Sequence, residues 1–325
     1  MMELNPANAK RWSRIGSRAT FGLVALELGN SIDDLMILTA DVSTSAGLDR
    51  FKKKYPEKYL DVGIAEQNLV GIAAGLASEG VVAVTTTFAP FQTMRCCEQI
   101  KVNLGYMKQK VSLVGLASGL VLGTLGYTHC CIEDLSIMRS IPGITVVSPA
   151  DCGETVKAIQ AAIKHHQSVY IRLTGGTNNP VVFENDYTFA IGKSIKLADG
   201  DDVAVIATGA MVYEALEVAT LLESVAISTA VHNMHTIKPI DVDAISEICE
   251  TSKLVVTVEE HSVIGGLGSA VAEQLAQIEN SPPQLILGIP DRYGQGGSYE
   301  DLKRDFELTK DQIANNIIKR FQQII

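Results

Sequence analysis

Residues 61–80 read DVGIAEQNLVGIAAGLASEG. Gly63 supplies a turn, and from Glu66 onward Leu69, Ile72 and Leu76 recur at helical spacing, so a helix opens at Glu66 with one apolar face. Short β-branched runs flank it, residues 35–39 upstream and 81–86 downstream. Strand, turn, helix and strand in succession is the rhythm of α/β layers built on a mostly parallel sheet.

The same rhythm continues outward. Residues 111–114, 145–147 and 169–173 read as further strands, after which Gly175, Gly176, Asn178, Asn179 and Pro180 form a cluster of chain breakers suited to a linker. Beyond it, residues 203–207, 226–231 and 254–258 read as strands and residues 212–223 and 241–249 as helices. The expected fold is therefore α/β in two domains, residues 1–185 and a smaller second domain over residues 186–325, with the boundary near Asn185. A chain of 325 residues suits two cores of ordinary size.

Composition narrows the function classes. Hydrophobic residues make up 46% and charged residues 20%, with no long polar tract, as in a chain folded throughout. Acidic residues outnumber basic ones by 37 to 27, a net charge of -10 that disfavours nonspecific binding to nucleic acid or anionic membrane. Residues 1–14 lack the apolar core of a secretory signal. The apolar run over residues 111–125 is broken by Gly115, Gly119 and Gly123 and is shorter than the ~20 residues that span a bilayer. None of the six cysteines has the C-x-x-C spacing of zinc or redox sites, so free thiols in a reducing cytoplasm are expected and no metal ligands are assigned in this chain.

An acid at a helix N-terminus usually just complements the helix dipole. The wording around Glu66 says more. With TTFAPF at residues 86–91, GYTHCCIEDLSIMRSIPGITVVSPAD at residues 126–151 and VEEHSVIGGLGSAV at residues 258–271, it resembles the transketolase family over nearly the whole chain. The resemblance implies a pyrimidine-binding domain followed by a transketolase C-terminal domain, with thiamine diphosphate as cofactor. It gives Glu66 the role of meeting the aminopyrimidine ring, where a carboxyl group at N1' promotes the imino tautomer that takes the thiazolium C2 proton. It sets Phe91 against the pyrimidine face with Phe88 nearby, and gives His129 the contact with oxygens of the ketol fragment. Arg18, Ser45 and Arg172 fall where family members hold a sugar phosphate.

Departures from the pattern carry information too. Leu125 stands where an aspartate commonly reads a substrate hydroxyl, and Ala117 where a histidine commonly binds phosphate, so an unusual substrate is expected. Single-chain transketolases also hold metal and diphosphate with a GDG motif in an N-terminal half. The nearest string here, Gly200-Asp201-Asp202, lies after the linker and reads as a turn. A partner chain carrying that motif and the ligands for Mg2+ or Ca2+ is implied, in a heterotetramer of two large and two small chains. The second domain is expected mainly to support assembly.

The expected activity is transfer of a two-carbon ketol unit from a phosphorylated or otherwise anionic ketose to an aldehyde. The alternatives are a decarboxylating relative, such as a 1-deoxyxylulose-5-phosphate synthase or the β subunit of a 2-oxoacid dehydrogenase, and a noncatalytic assembly subunit.

Overall fold

The computed structural model describes residues 2–324. The first half forms a sheet from β1 (Leu35–Thr39), β2 (Tyr59–Asp61), β3 (Val82–Phe88), β4 (Val111–Leu116), β5 (Ile144–Val147) and β6 (Ser168–Arg172). Their side chains are buried on both faces along most of β3 to β6, as a parallel sheet covered by helices requires. The second sheet uses β7 (Ile195–Ala198), β8 (Val203–Ala207), β9 (Thr229–Asn233), β11 (Leu254–Ser262) and β12 (Gln284–Ile289), in the order β12-β11-β8-β9-β7. A remaining strand, β10 (Thr236–Lys238), leaves the second half and pairs antiparallel with β5, which makes the first sheet seven-stranded, β10-β5-β6-β4-β3-β1-β2.

The two halves are thus stitched together. Aliphatic side chains of both sheets belong to one continuous buried cluster that includes Val114, Ile171, Val205 and Val256. The linker also lies against the first helix, Pro6–Ser31, which kinks at Gly16 (φ 83°). A Cβ at Gly16 would stand 2.2 Å from the carbonyl oxygen of Gly176, so the breaker cluster seen in the sequence packs where the helix has no side chain.

Because β1, β2, β3 and β4 run parallel, their C-terminal ends open on one edge. Loops there are the usual place for ligands in open α/β sheets. Residues 40–47, 62–65, 89–96 and 117–131 leave the sheet along that edge.

Candidate active site

Glu66 is set by its turn. Asp61, ending β2, accepts hydrogen bonds at Oδ1 from the Asp41 and Gly63 amides at 2.9 and 3.0 Å, which ties the end of β1 to the turn before the helix. The helix Glu66–Ser78 then begins with Glu66 as its first residue and buries Leu69, Val70, Ala73 and Ala74 against the sheet. Glu66 is only 4% exposed, a costly place for a carboxylate without a partner. Arg95 Nη1 donates to its Oε1 at 2.7 Å, while among the described residues Oε2 accepts no hydrogen bond.

The aromatic residues come from neighbouring loops. Phe88 closes β3, and Phe91 follows on the short turn Ala89–Gln92, locked by Thr93 Oγ1 donating to the Ala89 carbonyl at 2.7 Å. His129 arrives from the loop after β4 and meets both rings edge-on, with centroids 6.2 Å from Phe88 and 5.5 Å from Phe91. Phe88 and Phe91 meet each other in the same way at 6.4 Å. The Arg95 guanidinium lies 4.0 Å from the Phe91 ring centroid and so links this trio to Glu66. Four of the residues singled out in the sequence therefore form one half-buried patch.

Arg18 and Ser45 are both partly exposed, on the first helix and on the loop after β1. Those segments touch, since a Cβ at Gly47 would stand 3.2 Å from the Arg18 carbonyl oxygen. Arg172, the third residue expected at a sugar phosphate, is enclosed within the fold. It is 1% exposed, its Nε reaches Asp134 Oδ2 at 2.9 Å, and its Nη2 donates to the Glu260 carbonyl at 2.8 Å. Burial lowers its proton affinity, but Asp134 and Glu260 more than offset this, so the guanidinium stays charged and internally consumed.

Leu125 is 55% exposed on the turn Gly123–Leu125, and Ala117 is fully buried with φ 52°. All six cysteines are free. Burial pushes the Cys96 thiol up to about 12 and Cys130 to about 11, which suppresses thiolate chemistry beside the patch. Gly200-Asp201-Asp202 is irregular chain in which Asp202 pairs with Lys253 at 2.7 Å.

Chemically, a buried carboxylate with one uncommitted oxygen beside an aromatic pair suits a flat ring that bears nitrogen donors. Among the described residues no three His, Cys, Asp or Glu side chains gather as a cation would need.

Residues 13–178 match the transketolase pyrimidine-binding domain, and residues 192–313 the transketolase C-terminal domain. The chain belongs to the transketolase family. This transketolase subunit is 37% identical to a subunit of the apulose-4-phosphate transketolase from Phocaeicola vulgatus, over 94% of this chain and 97% of that protein. It is 39% identical to a 6-deoxy-6-sulfo-D-fructose transketolase subunit from a Clostridium species, over 91% and 92% of the two chains. A solved split-gene transketolase, described as an inactive β4 tetramer, superposes with a TM-score of 0.88 at 37% identity, covering 96% of this chain and 100% of that one. The subunit is therefore the C-terminal part of a split, transketolase-type transferase, an enzyme class that uses thiamine diphosphate. Among the described residues no helix is long and apolar enough to cross a membrane.

Sequence reasoning misses Arg95 and Asp61. Asp61 stands in the opening motif with no task assigned to it, although an aspartate two residues before a glycine commonly builds such a turn. Arg95 follows Phe91 by four positions, the spacing that brings side chains together on a helical turn.

Proposed function

We propose that this subunit, joined to a second chain that holds the diphosphate and its divalent cation, transfers a two-carbon ketol unit from an anionic ketose to an aldehyde. The observation that carries this is the Glu66 carboxylate beside Phe91, Phe88 and His129 at the C-terminal strand edge. The residues present fit the aminopyrimidine end of thiamine diphosphate: Glu66 would face the ring nitrogen N1', and Phe91 with Phe88 would bound the ring and exclude water. When bound, the cofactor supplies a carbon nucleophile for the ketose carbonyl. Glu66 would hold a proton at N1', and His129 would donate to oxygens of the ketol fragment where charge develops. Arg18 and Ser45 complete the proposal as an anion contact. The relatives named for a phosphorylated and a sulfonated sugar support an anionic substrate.

The Mg2+ or Ca2+ ligands and the GDG motif are assigned to the partner, in an assembly of two large and two small chains. A reducing cytoplasm is the proposed setting, in keeping with the six free thiols. The test is ketol transfer by the complex reconstituted with its partner. Glu66→Ala is expected to lower kcat/KM by roughly a hundred- to ten-thousandfold with assembly intact, whereas undiminished turnover would indicate a noncatalytic subunit. Assaying pyruvate as donor separates ketol transfer from the decarboxylating alternative.

A further inference from the structure

The space between Glu66 and Phe91 is already filled. Arg95 donates Nη1 to Glu66 Oε1 at 2.7 Å and lays its guanidinium carbon 4.0 Å from the Phe91 ring centroid. A guanidinium is a flat group with N–H donors in its plane, suited at once to a carboxylate and to an aromatic face. An aminopyrimidine ring is flat, bears nitrogen donors, and would require the same two contacts of the same two residues.

We infer that Arg95 is a further residue of the cofactor site, an internal occupant that fills the ring slot in the isolated subunit and leaves it when the ring enters. This rests on the reading that Glu66 and Phe91 receive the aminopyrimidine. The backbone around Arg95 is fixed: its amide donates to the Pro90 carbonyl at 3.2 Å, its carbonyl accepts from Gln67 Nε2 at 3.2 Å, and the Cys96 thiol donates to the Phe91 carbonyl at 3.0 Å. Its side chain is 42% exposed, so departure requires rotation of the side chain alone into solvent. An ion pair this exposed is weak, and the stack adds a comparable increment, so together they hold the slot closed by about tenfold. Ligand affinity then falls by the fraction of molecules with the slot open. Cofactor capture by an unassembled subunit is suppressed accordingly.

The experiment uses this chain alone with the ring fragment 4-amino-5-hydroxymethyl-2-methylpyrimidine, titrated by calorimetry and by NMR shifts of the phenylalanine rings. Arg95→Ala is expected to bind the fragment about tenfold more tightly than the parent. Arg95→Lys falls between them, because an ammonium pairs with Glu66 but offers no plane to Phe91. In the double variant Arg95→Ala, Glu66→Ala, the gain is lost. Unchanged, weaker or unmeasurable binding by Arg95→Ala overturns the inference. If Glu66→Ala leaves fragment binding unaltered with Arg95 either present or removed, the assignment of Glu66 itself fails. Arg95→Met, which keeps the apolar stem over Phe91, serves in place of Arg95→Ala should that variant's melting temperature fall.

Discussion

Arg95 and Arg172 each pair with one acid, and burial separates what they do. Arg95 is 42% exposed and free to move, whereas Arg172 and Asp134 are 1% and 0% exposed. Removing one member of a buried pair strands the other charge, at a cost of about 3–5 kcal/mol. Arg172→Ala is therefore expected to lower unfolding stability by that amount in urea titrations of the isolated chain. A substrate-phosphate role would instead raise KM in the reconstituted enzyme and leave unfolding unchanged. The sequence distinguishes poorly between these two arginines because both readings depend on contacts far along the chain: Arg172 meets Asp134 across 38 positions and Arg95 meets Glu66 across 29. Glu66 is legible because its turn and helix are local, built by Asp61 and Gly63 within a few residues.

At the scale of elements, the loop that carries His129 is gripped by the second half. Gly119 and Cys131 exchange backbone hydrogen bonds at 2.8 and 3.0 Å and close the loop at its base. Glu260, from β11, accepts the Leu120 amide at Oε1 and the Tyr299 hydroxyl at Oε2, 2.5 and 2.6 Å away. The Gly297 amide donates to the Gly123 carbonyl farther along the loop at 3.1 Å. Gly119 has φ 74°, and a Cβ there would stand 2.1 Å from Glu260 Oε1. Gly119→Ala combines backbone strain with that clash, so a loss of roughly 1–3 kcal/mol is expected, together with faster amide exchange over residues 120–130. Exchange that stays at the parent rate would show that the loop holds itself without Glu260. Sequence periodicity finds β1 and β8 at their full extents, since both are continuous β-branched or aliphatic runs. It misses β10, three residues whose strand character comes entirely from pairing with β5 in the other half.

Across the whole molecule, that same seam makes stability sensitive to acid. His235 precedes β10, is fully buried and stacks on Phe189 of the linker region at 4.2 Å, while its backbone carbonyl accepts the Ser148 amide at 2.8 Å. Nδ1 lies 2.9 Å from Thr236 Oγ1, and Nε2 has no partner among the described residues. Burial lowers its pKa to about 4, against a small opposing influence from Asp241. The folded state thus keeps the imidazole neutral while the unfolded chain takes up a proton near 6.5, so the stabilisation is complete above pH 6.5 and is lost as pH falls toward 4. Glu154 and Glu259, raised by burial to about 7, act in the opposite sense, since their contribution is present below 4.5 and is lost as pH rises toward 7. Overall pH profiles therefore mix the two, and a difference between variants separates them. Relative to His235→Gln, the parent is expected to lose up to roughly 3 kcal/mol of unfolding free energy between pH 6.5 and 4, with faster amide exchange in residues 236–238 over the same interval. A difference that stays flat with pH would mean that the imidazole is protonated without disturbing the seam.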